Sequence, residues 1–536
     1  MSGNNKKDSF LKGAFILGVA GILIKVLGAF FKIPLGNLIG AEGMAYYQSA
    51  YTVYTLLLTL ATAGFPTALA KLVSEKMAIG DYKGANKVFR VSYITLFITG
   101  IIGFSVFFFG AEMIVAQMDN PGAYYAMLAI SPALLFVPVM SSYRGYFQGK
   151  RDMNKIAISQ ILEQIFRVIL GLSLAFILME QFGAKEGAAG AISGATIGSI
   201  ASLLYLLMAY TLTRKERKLE VQKSKNFKEE NVSRILKRLL IVAVPITIGS
   251  AVMPLVNLVD NYIVIDRLQA GGYSSSEALV LYGQLTGMAM SIINLPSVIT
   301  VALSMSLVPA ISAAIATKNV VKSKKDTKSA IKVTLLIVLP AAFGIASLAT
   351  PIMELLYPNE PSSIGTILLF LTPCVVFLGL IQVMSGILQG MGKPMIPVIA
   401  LSVGVLFKIV ISYTLTAIPQ INVLGSVLGT VSAYFVAATI DLMYVKKSMK
   451  IKFSIKDFVI KPLITVTAMF AMVKISYALL SPSLGNSLAT IISILVGGLV
   501  YVVVLIGIGG ISKDEILTMP KGTKIYSILK KVKLMK

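Results

Sequence analysis

Hydrophobic residues along this chain run in long stretches broken by short polar connections, without the strict alternation of a half-buried strand. About 20 predominantly apolar residues are enough for an α-helix to cross a bilayer. Fourteen such windows are read, at 13–33, 46–70, 91–111, 122–147, 156–179, 188–212, 239–265, 278–308, 331–350, 363–389, 396–418, 423–445, 458–480 and 487–511. The pattern predicts an all-α polytopic membrane protein. No small-residue cleavage site follows the first window, so it is expected to be a retained helix rather than a signal peptide. Gly64 with Pro66 interrupts the second window, and Pro296 lies inside the eighth; both are expected to kink or end their helices.

The pattern is also duplicated. Residues 142–168 return in degraded form at 383–409, an offset of 241 that sets Gly145, Gln148 and Gly149 on Gly386, Gln389 and Gly390, Phe166 on Phe407, and Arg167 on Lys408. Six windows per copy give both copies the same orientation, so the two lobes are expected to be parallel repeats about an axis along the membrane normal. The resulting division is an N-lobe 1–212, a basic linker 213–238, a C-lobe 239–450, an appended helix pair 451–511 and a basic tail 512–536. Small residues four apart, Gly190/Gly194/Gly198 and Gly425/Gly429, predict close helix packing in each copy.

Composition agrees with the windows: 56% of the 536 residues are hydrophobic, 14% are charged and the mean hydropathy is +0.81. A net charge of +25 would suggest nucleic acid in a soluble protein. Its distribution argues otherwise, because the connections alternate: one set is rich in Lys and Arg, while the other holds only Lys185 and Arg267. By the positive-inside rule both termini are expected in the cytoplasm, and no nucleic-acid partner is expected. Cys374 is alone and histidine is absent, which excludes an internal disulfide and any histidine-based metal site or proton relay. No GxxxxGK[ST] loop occurs and the connections leave no room for a soluble catalytic domain, so a cofactor-free transporter is expected rather than an enzyme. The membrane potential, worth about 2.3 kcal/mol per charge per 100 mV, or a monovalent cation would then drive it.

Charges inside the windows are the candidate chemistry, since an ionised side chain at mid-bilayer costs roughly 2.5–3.5 kcal/mol and usually faces a watery interior. In the first window Gly18, Gly21, Lys25, Gly28 and Lys32 share one face, with Lys25 at depth and Lys32 close enough to the end to snorkel outward instead. In the fifth, Glu163 and Arg167 form an i, i+4 pair that reads equally as a self-neutralising structural contact; Arg144 nearby leaves the region net positive, as an anion site requires. Asn257, Asp260 and Asn261 form a polar turn in the seventh window, and Lys408 shares a face with Ser412 and Thr416 in the eleventh. If those two helices face each other, Lys408 would pair with Asp260 where another transporter binds a coupling cation. Asp441 reads as an interfacial residue.

The 6 + 6 + 2 arrangement, together with ILIKVLGAFFKIPLGNLIGAEGMAYYQSAY, ATAGFPTALAKLVSE and RGYFQGKRDMNK, resembles the multidrug/oligosaccharidyl-lipid/polysaccharide exporter superfamily. Within it the chain resembles the polysaccharide biosynthesis and stage V sporulation protein B branch, which includes lipid II flippases of the MurJ type. The resemblance implies a monomeric cell-membrane flippase that moves an undecaprenyl-pyrophosphate-linked saccharide, lipid II foremost, outward by alternating access around a central cationic cavity. It implies a role for the helix-1 cation Lys25, and less directly Lys32. The second helix lacks the intramembrane basic residue of Gram-negative lipid II flippases, so Arg144, Arg167 and Lys408 are the candidates to compensate. The alternatives are export of a teichoic or capsular unit, or cation-coupled drug antiport; an acidic cavity would favour the antiport, and Lys25 and Arg167 oppose it.

Overall fold

The computed structural model describes residues 2–224, 227 and 229–510, with side chains from Ala20 onward except Ile22, Lys25 and Ala29. The tail expected at 512–536 lies outside the described residues. Among the described residues there is no strand. Among them, twelve helices are long and apolar enough to cross a membrane. Two of them, α1 (Ser2–Thr62) with its continuation and α19 (Lys461–Gly507), turn sharply at Gly40 (φ 66°) and Gly485 (φ 71°), left-handed positions open to glycine. Each therefore has two arms where the sequence pattern placed two windows.

The chain divides into two compact units, residues 1–291 with 413–423, and 292–412 with 424–536. The first contains α1, α2 (Phe65–Ala78), α3 (Tyr82–Gln117), α4 (Tyr124–Ile130), α5 (Ala133–Gly149), α6 (Met153–Phe182), α7 (Ala184–Leu212), α8 (Arg214–Gln222), α9 (Val232–Ala270) and α10 (Ser275–Gly283). Pro66 does what its chemistry dictates: the chain leaves helix at 63–64 and α2 restarts with proline in its first turn, where its missing N–H costs nothing. The break brings Gly64 onto the Ala243 carbonyl of α9, and the Gly64 amide donates to Thr247 Oγ1 at 3.2 Å. A side chain at Gly64 would separate the two helices.

The basic linker is less lipid-directed than its composition suggests. Its acids are interleaved with its basic residues, and both kinds pair with α2 and α3: Glu230 with Lys76 at 3.4 Å, Glu229 with Lys87 at 2.8 Å, and Arg238 with Glu75 at 2.7 Å. Lys150–Glu220 at 2.9 Å and Arg217 stacked 3.3 Å over Tyr210 hold α8 on the ends of α5 and α7. The Lys87 ammonium holds the exposed Glu229 carboxyl below the usual carboxylate range.

After α10, the eighth window is not one regular helix: a π-helical turn at Gln284–Ala289, the short α11 (Met290–Ile293) and a turn at Pro296 precede α12 (Ser297–Ala316). The second unit continues with α13 (Val320–Ser347), α14 (Ala349–Leu356), α15 (Ser363–Leu371), α16 (Pro373–Gly390), α17 (Met395–Leu415), α18 (Leu424–Met449) and α19. Its core joins Leu307 and Ile311 of α12, Ile331 of α13, Val383 to Leu388 of α16, and Val445 of α18. These units follow packing and do not coincide with the lobes of the repeat: α9 lies with the first half because α1 and α2 pack on it, and 413–423 joins it through Tyr273, which donates to the Pro419 carbonyl and accepts from Asn422.

Candidate functional site

The charged group begins with helix packing. Gly190, Gly194 and Gly198 present a bare face of α7 to α6, so close that a Cβ at Gly194 would lie 2.5 Å from the Arg167 carbonyl; Gly198 abuts the Glu163 carbonyl. That contact fixes the turn of α6 carrying Glu163 and Arg167. α5 then delivers Arg144 from the other side. Arg144 donates from Nη2 to Glu163 Oε2 at 2.9 Å and to Ser202 Oγ at 3.1 Å, and from Nε to Ser159 Oγ at 3.0 Å. Arg167 Nη2 donates to Glu163 Oε1 at 3.0 Å. One carboxylate thus bridges two guanidiniums, whose side chains are only 16% and 19% exposed. The i, i+4 pair read from the sequence is there, but it is not self-neutralising, because Arg144 makes the trio net positive. Arg167 Nε is buried with no hydrogen-bond partner, a donor whose burial is costly until an acceptor arrives.

α1 supplies the surroundings. Its Gly28 faces Gln164 of α6, with a Cβ position 3.6 Å from Nε2, and Phe31 lies against Gly171. Lys32 is half-buried, 3.4 Å from Gln48 Oε1 on the second arm of α1. The Lys25 side chain lies outside the described residues; its backbone is helical, three residues before Gly28. On the second arm Tyr47, Tyr51 and Tyr54 form a ladder with ring centroids 5.8 and 6.0 Å apart, within electrostatic reach of Arg167. Cations, amides and phenols therefore gather along one side of α6.

The polar turn of α9 is divided rather than shared. Asn257 is exposed, whereas Asp260 and Asn261 are buried. Ser49 donates to Asn261 Oδ1 at 2.8 Å and accepts from Asn120 at 2.8 Å, tying α1, α9 and the end of α3 together. Tyr282 of α10 lies close enough for Asp260 to act on it. In the second unit Lys408 is 1% exposed, and Gly429 approaches its carbonyl at a Cβ distance of 3.1 Å, matching Gly194 on Arg167 in the first. Ser412 lies beside Gly429, while Thr416 falls in the segment that clusters with the first unit. Asp441, near the end of α18, is fully buried within the protein, and neither carboxylate oxygen has a hydrogen-bond partner.

Residues 10–315, more than half of the chain, match the family described as polysaccharide biosynthesis protein, and 245–414 match the MatE family. The chain belongs to the polysaccharide biosynthesis protein family. It is thereby a member of the multidrug/oligosaccharidyl-lipid/polysaccharide exporter superfamily, in the branch of stage V sporulation protein B. Stage V sporulation protein B of Bacillus subtilis (strain 168) is 28% identical over 519 residues, covering 96% of this chain and 98% of that protein. The lipid II flippase MurJ of the same organism is 28% identical over 522 residues, covering 92% and 94%. A solved structure of lipid II flippase MurJ in an inward closed conformation superposes with a TM-score of 0.69 at 19% identity, over 91% of this chain and 97% of that one, and establishes the shared fold.

Within this family fold, the sequence reading missed Ser159, Ser202, Gln48, Ser49, Asn120 and Tyr282, whose roles exist only once helices distant in sequence meet. The tyrosines were readable: 47, 51 and 54 stand at helical spacing on a window that also carries Gln48.

Proposed function

We propose that this chain flips a polyprenyl-diphosphate-linked saccharide across the cell membrane, with the peptidoglycan precursor lipid II as the leading substrate. The observation that carries the reading is the Arg144–Glu163–Arg167 trio, a buried group with net positive charge and a guanidinium N–H awaiting an acceptor. A diphosphate is an acceptor of that kind, and charge-assisted contacts to guanidinium are about twice as strong as neutral ones. Lys25 and Lys32, on the same unit as the trio, are the further cations proposed for the head group. An apolar groove of about 290 Å3 between α13 and α19, lined by Pro340, Gly344, Met469, Val473 and Tyr501, is proposed to take part of the hydrocarbon tail. The relatives named as a lipid II flippase and a sporulation protein support the class and leave the saccharide open. Both termini are assigned to the cytoplasm, on the distribution of Lys and Arg.

Asp260 in the first unit and Lys408 in the second are each proposed as a buried charge that transport requires. Unchanged transport in Asp260→Asn or in Lys408→Gln would remove that residue's assignment. The flippase reading itself is tested with the purified protein in vesicles, by following head-group accessibility of lipid II beside a prenyl-diphosphate carrying a teichoic-type sugar. Faster movement of lipid II than in empty vesicles is expected. Movement of the second lipid alone would shift the substrate, and movement of neither would refute the reading.

A further inference from the structure

A second concentration of positive charge lies in the other unit and shares no residue with the Arg144 trio. The first turns of α13 read VVKSKKDTKSAIK, which sets Lys324, Lys328 and Lys332 at intervals of four on one face, with Lys325 beside them. Opposite stands the turn between α18 and α19, with Lys450, Lys452, Ser454 and Phe458. Together these walls enclose a cavity of about 530 Å3 lined by six lysines, by Ser329 and Ser454, and by a single acid among the described residues, Asp457. Asp457 is shared: its Oδ1 lies 2.8 Å from Nζ of Lys461, outside the lining, and its charge also acts on Lys332, so one carboxylate is divided between Lys461 and the six lysines of the lining.

Lysines four apart on a helix repel one another, and two more across a narrow cavity add to that repulsion. A multiply charged anion between the walls turns repulsion into attraction, and lysine is a common point-charge partner of phosphate, with serine hydroxyls as supplementary donors. The position selects the source of the anion. Lys332 is the last charge before the apolar run 333–347, and Lys461 the last before 462–473, so the cavity lies where two spans become apolar. Val321, Ile451 and Phe458 give it an apolar side, and Phe458 packs edge-on against Phe453 at 5.1 Å. Clusters of four to eight basic residues beside a membrane helix attract anionic lipid.

We propose that this cavity is a binding site for the phosphate head group of an anionic membrane phospholipid, which clamps the ends of α13, α18 and α19 together. It does not depend on the identity of the transported saccharide.

The test uses the full chain in neutral detergent, with exposure of the buried Cys374 to a thiol-reactive dye as the melting signal. Dioctanoyl phosphatidylglycerol is expected to raise the melting temperature, and dioctanoyl phosphatidylcholine is not. Each lysine is worth about fivefold in attraction to an anionic surface, so Lys324→Gln/Lys328→Gln/Lys332→Gln should need roughly a hundredfold more phosphatidylglycerol for the same shift. Lys450→Gln/Lys452→Gln, on the opposite wall, should weaken the response independently, and arginine at the three α13 positions should retain it. Removing as much charge at Lys215, Lys218 and Lys223 should change nothing. A wild-type response in both pocket variants, or an equal loss in the linker variant, would overturn the site. Inorganic pyrophosphate acting at the same concentration as phosphatidylglycerol would overturn the lipid as its source.

Discussion

Substitution of Arg167 by Gln separates a binding role for the cation trio from a purely structural one. With Arg167 gone, Arg144 still has Glu163 at 2.9 Å, Ser159 at 3.0 Å and Ser202 at 3.1 Å, so no charge is stranded. The group falls from net +1 to neutral, and the unpartnered Nε donor disappears. A hydrogen bond to a charged group is worth about 1.5–3 kcal/mol, and 1.4 kcal/mol is a factor of ten. Flipping of a diphosphate-bearing lipid should therefore slow by about 10- to 150-fold at unchanged protein abundance. Glu163→Gln does the opposite to the fold: it leaves two guanidiniums facing each other without their carboxylate, and removing one partner of a buried ion pair costs about 3–5 kcal/mol. That variant should melt earlier and accumulate less. Flipping in vesicles, normalised to reconstituted protein, together with melting temperature, distinguishes the two. Wild-type flipping by Arg167→Gln would refute the binding role, and so would a loss of flipping fully accounted for by lost stability.

Gly194→Val should push α7 off α6 and cost about 1–3 kcal/mol in overpacking, read as a lower melting temperature, while Gly498→Ala, with nothing within 4 Å of its Cβ position, should leave it unchanged. Asn261→Ala leaves the buried Ser49 hydroxyl without its acceptor while Asn120 still donates to it, and should cost about 1–3 kcal/mol in the same assay; Asn257→Ala, at an exposed site, should be neutral. Because Lys87 lowers the folded pKa of Glu229, the linker contact is held above the ordinary carboxylate pKa and released as pH falls through the folded value. Protease cleavage within 213–231 should rise as the pH is lowered from neutrality through the ordinary Glu pKa of about 4.3 and below it, and Lys87→Gln should raise cleavage already at neutrality.

The spans were legible because burial in lipid demands long apolar runs whatever the tertiary packing. Pro66 was legible as a break, and Gly190/Gly194/Gly198 as a packing face, since each acts through local backbone chemistry. Glu163 with Arg167 was legible as a helical pair, but the share of Glu163 taken by Arg144 was not: it depends on the register of α5 against α6, which no local pattern encodes. The same holds for Ser49, Asn120 and Asn261, drawn from three distant helices. Asn257 shows the converse, a residue grouped by spacing with Asp260 and Asn261 that helix rotation leaves exposed. The sequence placed Asp441 near a helix end, and its burial follows only from the packing of α18.

The central claim is tested most directly in cells depleted of their own lipid II flippase, by expressing this chain and quantifying lipid II in the outer leaflet. Restoration of outer-leaflet lipid II by the wild-type chain, with Arg167→Gln failing at equal abundance, is the predicted result. No restoration by the wild-type chain when it accumulates in the membrane would contradict the account.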